Sequence, residues 1–455
     1  MIFCDDDTII APATPMGGAL CVIRLSGGRA IEVCDEVFRG RRALNEAKTA
    51  TVHYGNIVDG DDVVDDVLVS VFRAPHSYTG ENSVEISAHG SRYVVGRIMS
   101  LFTARGMRMA EAGEFTRRAF LSGKMDLSQA EAVADVIASD SRASHAVAST
   151  QMRGAYSDEL GALRDKLLQI TSLLELELDF SEEDVEFADR AHLEALLQQT
   201  HSRVEQLAES FALGNVLKEG VGVAIVGRPN VGKSTLLNRL IGEDRAMVSN
   251  IAGTTRDTIE VVKNIGGIRF RFIDTAGMHT TTDELEQMGI ARTIDELRRA
   301  NVILWLTDDA TSQMDADMQG YEPTAEQIVV KVVTKIDLAD NAAATPSGES
   351  DATTVRLSAK TGEGVDELLE RLLSAFDADS VYRGDVVVSS QRHYEALRLA
   401  DESLRSAQMA LRQSLPADLL SEDIRQVLYH LGTITGQISS DEILQNIFSH
   451  FCIGK

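Results

Sequence analysis

Residues 221–234 read VGVAIVGRPNVGKS, and this stretch decides the fold of the middle of the chain. Six apolar or small residues form a run typical of a buried strand, and the pattern GxxxxGK[ST] follows it directly. A helical pattern begins after the loop. In this context the backbone N–H groups of the loop turn toward phosphates, and the helix N-terminus adds a favourable dipole. The stretch therefore predicts a Ras-like P-loop domain with a mostly parallel sheet flanked by helices.

The residues around the loop predict how a nucleoside triphosphate and Mg²⁺ would be held. Lys233 would neutralise charge on the β- and γ-phosphates, and the Ser234 hydroxyl would bind Mg²⁺. Thr255, in the segment GTTRD, would complete the Mg²⁺ shell when the γ-phosphate is present. Asp274, in the segment DTAG, would hold Mg²⁺ through water, and the Gly277 N–H would contact the γ-phosphate. These motifs follow one another in the order that a GTPase requires.

Two later segments predict that the base is guanine. The carboxylate of Asp337, in TKID, can accept hydrogen bonds from N1–H and N2–H of guanine, which adenine does not offer in that arrangement. The segment Ser358-Ala359-Lys360 would add a backbone contact to the base. Thr334 stands where this motif usually begins with asparagine, and we expect guanine specificity to be kept. Met278 stands where Ras-like proteins place a water-orienting glutamine, so another residue must position the nucleophile.

Composition narrows the class of protein. The chain has 455 residues, 44% of them hydrophobic and 25% charged, which is typical of globular domains. No apolar run approaches the ~20 residues of a membrane-spanning helix, and four cysteines form no CxxC pair. We therefore expect a cytoplasmic protein without a membrane partner. The formal net charge of −26 opposes non-specific nucleic-acid binding, so an RNA substrate would need a local basic patch or a basic partner.

The pattern of apolar and polar residues changes along the chain. Short strand-like runs dominate up to residue 118 and indicate an α+β domain, whereas helical periodicity dominates from 119 to 217. Two apolar helix faces are predicted there, one formed by Leu127, Ala130, Val133, Ala134 and Ile137 and the other by Leu160, Leu163, Leu167, Ile170 and Leu174. The acidic stretch 181–186 is predicted to be an inter-helix loop or a helix N-terminus. Residues 218–378 alternate strands and helices, and residues 379–455 are helical again. Residues 342–353 are small and polar and are predicted to form a surface loop. The protein is therefore predicted to combine α+β and α/β domains, with the GTPase domain inserted into a helical domain. A separate C-terminal helical domain is the alternative.

Five further segments carry a resemblance to a known family. The chain resembles the bacterial tRNA-modification GTPase family MnmE, also called TrmE, among the TrmE-Era-EngA-type GTPases, over essentially its whole length. The segments are DTIIA (7–11), RLSG (24–27), GEFTRRAF (113–120), QAEA (129–132) and FCIGK (451–455).

The resemblance implies a function for the whole chain. It implies an N-terminal domain that binds tetrahydrofolate and mediates homodimerisation, followed by the helical domain and its inserted GTPase domain. It also implies a heterotetramer with the partner MnmG, which carries FAD. Together they would add an aminomethyl or carboxymethylaminomethyl group at C5 of the wobble uridine (position 34) of certain tRNAs. The one-carbon unit would come from a 5,10-methylene- or 5-formyl-tetrahydrofolate.

The resemblance also implies roles for residues of the nucleotide site. K⁺ would be coordinated by Asn230 and by groups at Ser249, Ile251 and Thr254, in a GTPase that K⁺ and G-domain dimerisation stimulate. Glu286 would orient the attacking water, with Lys233 and Asn230 as the other catalytic residues. Read together with the motifs, the resemblance implies that GTP contacts Asn230, Val231, Gly232, Lys233, Ser234, Thr235, Ser249, Asn250, Ile251, Ala252, Gly253, Thr254, Thr255, Asp274, Thr275, Ala276, Gly277, Thr334, Lys335, Asp337, Ser358, Ala359 and Lys360.

In the N-terminal domain, the resemblance implies that Arg24, Glu85, Lys124 and Lys455 contact the folate. It further suggests a functional thiol at Cys452; an incidental terminal thiol is the alternative.

Two other functions are alternatives to tRNA modification. A regulatory GTPase that binds ribosomes or rRNA would be expected to carry a basic RNA-binding domain, and this acidic chain shows no basic run. A folate-binding module with a vestigial GTPase domain is disfavoured by the intact nucleotide motifs.

Overall fold

A computed structural model describes residues 7–179, 190–242, 260–274, 294–308, 321–338, 354–376, 378–413 and 415–455. The chain divides into two compact units. The first comprises Met1–Ala134 and Tyr429–Lys455, and the second comprises Asp135–Leu428. Among the described residues, no helix has both the length and the hydropathy required to span a bilayer.

The first unit is built on a seven-stranded sheet in the order β3-β4-β5-β6-β2-β1-β7. Neighbouring strands are antiparallel except β1 and β7, which are parallel. Strand β2 alternates buried and less buried residues, as expected where one sheet face covers a core. The strands are β1 (Ile9–Pro12), β2 (Leu20–Ser26), β3 (Phe38–Gly40), β4 (Thr51–Asp59), β5 (Asp62–Phe72), β6 (Ser83–His89) and β7 (Arg108–Met109).

The second unit contains a six-stranded sheet in the order β13-β12-β11-β8-β10-β9. Its strands are parallel except for the β9–β10 hairpin, so the predicted mostly parallel sheet is confirmed. Strands β8 and β11 are buried at every position, as interior parallel strands covered on both faces must be. The strands are β8 (Val221–Val226), β9 (Glu260–Ile265), β10 (Ile268–Asp274), β11 (Val302–Thr307), β12 (Ile328–Val333) and β13 (Thr354–Arg356).

Helices account for the two segments, 119–217 and 379–455, whose sequence patterns are helical. A 3₁₀ turn spans Leu44–Glu46, and residues 294–299 are also helical. The remaining helices, in chain order, are α1 (Ala30–Val37), α2 (Arg92–Thr103), α3 (Glu114–Leu121), α4 (Leu127–Ala138), α5 (Arg142–Met152), α6 (Ala155–Asp179), α7 (Arg190–Glu209), α8 (Phe211–Glu219), α9 (Lys233–Ile241), α10 (Val365–Ser374), α11 (Asp379–Tyr382), α12 (Gln391–Arg412), α13 (Ala417–Thr435) and α14 (Asp441–Ser449).

Most of the predicted apolar helix faces are confirmed by burial. In α6, the residues Leu160, Leu163, Leu167, Ile170 and Leu174 are all buried, as their helical spacing predicts. In α4 the prediction is wrong for Ile137, which is 50% exposed. That residue lies in the last turn of a helix that ends at Ala138, and burial is confined to the turns before it.

The helices on either side of the GTPase segment pack together in the second unit, as predicted. Helix α7 lies against α12, and polar pairs join them: Arg405 with Glu205 at 3.2 Å, and Gln408 with Gln198 at 3.2 Å. The boundaries at residues 118, 217 and 378 stay predictions. The acidic stretch 181–186 and the predicted surface loop 342–353 lie outside the described residues.

Candidate functional site

The glycine-rich loop joins the end of β8 to the start of α9. Gly232 caps the helix with a φ of 110°, and Asn230 also has a positive φ, of 62°. Gly227 is required for space as well as conformation, because a Cβ built there would lie 2.2 Å from the Leu306 carbonyl oxygen of β11. The loop therefore begins in close contact with the neighbouring strand.

Lys233 places a buried positive charge against this loop. Its side chain is almost fully buried, and Nζ donates to the carbonyl oxygens of Gly227 at 2.5 Å and Arg228 at 2.9 Å. A buried ammonium group needs such acceptors because it has lost its water. Ser234 and Thr235 follow in the first helical turn and are exposed. A cation and an accessible hydroxyl therefore stand beside the loop that is predicted to bind phosphates.

Thr334 fastens the loop to the sheet, a role that the sequence analysis missed. Its buried hydroxyl donates to the Val231 carbonyl oxygen at 2.6 Å and lies 3.3 Å from the Thr307 carbonyl oxygen. Its backbone N–H donates to the same Thr307 oxygen at 2.7 Å. A hydroxyl can therefore tie the start of the TKID segment to the loop without an asparagine at this position. Only the tertiary structure shows which carbonyl lies within its reach.

Asp337 is oriented by Ser358, twenty-one residues further along the chain. The buried Ser358 hydroxyl donates to Asp337 Oδ1 at 2.7 Å, and the Thr361 N–H donates to that hydroxyl at 3.2 Å. The Ser358 hydrogen bond and the positive charge of Lys360 hold the pKa of Asp337 below its usual range. Asp337 is therefore an ionised, exposed carboxylate, which acts only as an acceptor.

Two further contacts hold this region together. Lys335 has a φ of 59°, and its Nζ lies 3.0 Å from Asp308 Oδ2, just beyond the end of β11. Arg239 of α9 donates to the Thr361 carbonyl oxygen at 3.1 Å. Sequence reasoning missed Arg239 and Asp308, because neither belongs to a nucleotide-binding motif.

The described part of the predicted GTP site lies at the carboxyl edge of the sheet. Asp274 ends β10, and its Cα pairs in register with Ile225 of β8, so the DTAG segment begins beside the glycine-rich loop. The structure thus brings residues 230–235 to the same edge as residues 334–337, with residues 358–360 held to them. The predicted residues Ser249, Asn250, Ile251, Ala252, Gly253, Thr254, Thr255, Thr275, Ala276, Gly277 and Glu286 lie outside the described residues.

A second candidate site, in the first unit, forms around Arg24. Arg24 on β2 faces Glu85 on β6, and both Nε and Nη2 of the guanidinium lie 2.9 Å from Glu85 Oε1. The guanidinium also lies over two aromatic rings, 5.2 Å from the centroid of Tyr78 and 5.6 Å from that of Phe115. Burial raises the pKa of Tyr78, whose hydroxyl is 2.9 Å from that of Thr116. Neither aromatic residue was singled out from the sequence.

The C-terminal segment packs against this site. Arg24 Nη1 lies 3.4 Å from the carbonyl oxygen of Gly454, and Ile453 forms an antiparallel bridge with Ala112. Gly454 has a φ of 94°, and a Cβ there would lie 2.2 Å from the Pro12 carbonyl oxygen. The structure therefore joins Arg24 and Glu85 to the segment that ends in Lys455.

Lys124 and Cys452 occupy separate positions in the same unit. Lys124 Nζ donates to the Pro75 carbonyl oxygen at 2.8 Å, three residues before Tyr78 along the chain. Cys452 is a free, exposed cysteine. The structure thus shows no contact between Lys124 and the Arg24–Glu85 pair among the described residues.

Comparisons with known proteins identify the family. The MnmE helical domain profile matches residues 127–452, and the profile of the GTP-binding protein TrmE N-terminus matches residues 8–124. A tRNA modification GTPase MnmE of Bacteroides fragilis is 49% identical over 464 residues, covering 99% of this chain and 100% of that protein. The chain belongs to the MnmE family. It is therefore a GTPase, as its nucleotide motifs predict.

Other MnmE relatives match over the same extent. The tRNA modification GTPase MnmE of Bacteroides thetaiotaomicron is 48% identical over 465 residues, covering 99% of this chain and 100% of that protein. The protein of the same name from Flavobacterium johnsoniae is 48% identical over 466 residues, with 99% and 100% covered. Among solved structures, the G domain of the T. maritima FeoB iron transporter is 25% identical and covers 34% of this chain and 97% of that chain, with a TM-score of only 0.25.

Proposed function

We propose that this MnmE-family GTPase is the GTP-hydrolysing component of a cytoplasmic tRNA-modifying complex. The complex would add an aminomethyl or carboxymethylaminomethyl group at C5 of the wobble uridine, position 34, of certain tRNAs. The observation that carries this proposal is end-to-end identity of 48–49% with proteins described as tRNA modification GTPases. The proposal is also supported by the presence in one chain of the predicted guanine-nucleotide site and the Arg24–Glu85 site.

The function is tested by deleting the gene and measuring tRNA nucleosides by mass spectrometry. Loss of the C5-modified wobble uridine, restored by a plasmid copy of the gene, is the expected result. Unchanged modification of the wobble uridine in the deletion strain would reject the proposal. A ribosome- or rRNA-associated GTPase would then be the alternative function to test.

The one-carbon unit is proposed to come from a tetrahydrofolate derivative bound at Arg24. The described residues fit such a ligand in their chemistry. A guanidinium and a carboxylate can pair with the polar edge of a pterin, and the rings of Tyr78 and Phe115 give the site aromatic walls. Lys124 and Lys455 would supply positive charge for the glutamate tail, and Cys452 is the candidate functional thiol.

Arg24→Gln is expected to weaken binding of 5-formyl-tetrahydrofolate by about 10- to 100-fold, because charge-assisted hydrogen bonds are lost. Isothermal titration of the full chain measures this change. Arg29→Gln is the matched control, since Arg29 is an exposed arginine of the same unit. Equal binding by wild type and Arg24→Gln, with both proteins folded by circular dichroism, would remove Arg24 from the site.

GTP hydrolysis is proposed to use Mg²⁺ and K⁺. Hydroxyl and carboxylate oxygens suit Mg²⁺, and the accessible Ser234, together with Thr255 and Asp274, would supply them. Asn230 would bind K⁺ with Ser249, Ile251 and Thr254, and the bound cation would offset negative charge that develops on the phosphates. Glu286 would orient the attacking water in place of the missing glutamine.

Asn230→Ala is expected to abolish the preference for K⁺ over Na⁺ and to slow hydrolysis in K⁺ by about 10-fold or more. The measurement is phosphate release at matched ionic strength in the two salts. Because Asn230 has a φ of 62°, Asn230→Gly is needed beside it to separate the lost side chain from backbone strain. A wild-type rate in K⁺ for Asn230→Gly, or equal rates of the wild-type protein in both salts, would reject the K⁺ assignment.

The remaining partners are proposed from the same family relationship. We propose a homodimer that assembles with the FAD-dependent protein MnmG, with FAD held by that partner. A net charge of −26 makes this chain a poor general binder of tRNA. The tRNA would therefore be held by a local basic surface or by the partner.

A further inference from the structure

Three metal-ligating side chains meet where helices α7 and α12 pack together. His201 and Glu205 lie four residues apart on α7, and Asp401 lies on α12. One ligand atom from each lies within 4.8 Å of the other two. The cluster belongs to neither of the sites described above. No nucleotide or folate role requires it.

Two of the ligand atoms are buried and face each other. His201 Nε2 and Asp401 Oδ1 are 2.9 Å apart, and the two side chains are only 12% and 15% exposed. The pair is close enough for an ion pair, and neither atom has a hydrogen-bond partner with suitable geometry. Buried polar atoms almost always have a hydrogen bond, so a facing pair held only by an ion-pair contact is a place where a shared cation would fit. Two ligands bound to one ion at ~2.1 Å lie roughly 3.0 to 3.4 Å apart, so a cation would satisfy both atoms with little movement.

The geometry points to a divalent transition-metal site, and we propose that His201, Glu205 and Asp401 bind Zn²⁺ or a similar ion. An imidazole nitrogen with two carboxylate oxygens is a donor set that suits these ions better than it suits Mg²⁺ or Ca²⁺, which prefer oxygen alone. Glu205 is 42% exposed, so water can complete the coordination from that side. The ion would bridge the helical segments that precede and follow the GTPase segment.

Arg405 is the natural competitor of the metal. Its Nε lies 2.9 Å from Asp401 Oδ2, and its Nη2 lies 3.2 Å from Glu205 Oε1. One guanidinium thus neutralises both carboxylates of the cluster. The Arg405 side chain is 59% exposed and can turn toward solvent when a divalent ion binds. Removing this arginine should therefore strengthen metal binding, whereas it would weaken a site that served only as an ion-pair network.

The test is Zn²⁺ binding to the untagged, chelator-treated full chain, measured by competition with a chromophoric chelator. Wild type is expected to bind one equivalent of Zn²⁺. The His201→Gln variant is expected to bind Zn²⁺ with an affinity at least about 10-fold lower than that of wild type. Arg405→Gln is expected to bind several-fold more tightly than wild type. His192→Gln is the matched control, because His192 is exposed on the same helix. Cys452→Ser controls for binding by the exposed thiol.

Visible absorption of bound Co²⁺ and the thermal midpoint provide independent measurements. Wild type and Arg405→Gln should show Co²⁺ ligand-field bands and a Zn²⁺-dependent rise in Tm, and both should be absent in His201→Gln. These bands keep the proposal testable if His201→Gln fails to fold. Equal Zn²⁺ binding by wild type, His201→Gln and His192→Gln would overturn it, and so would weaker binding by Arg405→Gln.

Discussion

Asp337→Asn is expected to lower the affinity for guanine nucleotides by about 10²- to 10⁴-fold, because a site built to accept two hydrogen bonds loses its charged acceptor. The ionised carboxylate would accept from N1–H and N2–H of guanine, whereas an amide offers one acceptor and a donor that faces another donor. Xanthine carries an oxygen at C2, so the variant should gain affinity for xanthosine nucleotides. Titration with fluorescent GDP and XDP measures both changes.

Two variants sharpen this test. Asp366→Asn removes an exposed carboxylate of the same unit and should leave both affinities unchanged. Thr334→Val deletes the hydroxyl that donates to Val231, so it should lower nucleotide affinity and stability by about 1–3 kcal/mol while keeping the preference for guanine over xanthine. If the Asp337→Asn variant kept the preference for guanine over xanthine, this carboxylate would not be the group that recognises the base.

Lys233→Ala is expected to reduce GTP hydrolysis by about 10³-fold or more, since the buried ammonium would offset charge on the β- and γ-phosphates in the transition state. Single-turnover hydrolysis at saturating GTP, with Mg²⁺ and K⁺ present, gives the rate without the contribution of binding. The side chain donates to two loop carbonyl oxygens, so its loss should also loosen the glycine-rich loop.

The matched control for Lys233→Ala is Lys263→Ala, on strand β9 of the same unit. It should hydrolyse GTP at the wild-type rate. A Lys233→Ala protein with less than a 10-fold loss, or a Lys263→Ala protein with an equal loss, would place the catalytic charge elsewhere.

Much of the fold follows from the sequence because its signals are local. The run VGVAIV followed by GxxxxGKS predicts a strand, a loop and a helix, and β8 and α9 confirm them. The spacing of Leu160, Leu163 and Leu167 predicts the buried face of α6 for the same reason, since helical periodicity is a property of neighbouring residues. Ile137 fails because burial near a helix end depends on what packs there, which periodicity does not encode.

The sequence by itself determined the nucleotide class of this protein, its family resemblance and the type of most elements, because those are carried by residues close together in the chain. Tertiary structure alone decided that Thr334 ties down Val231, that Ser358 orients Asp337 and that Gly454 lies against Arg24. It also brought His201 to Asp401 across two hundred residues. These contacts depend on which backbone and side-chain atoms the folded chain brings within a few ångströms of each other. Hydrogen bonds form only at that range, and ion pairs weaken as the separation grows.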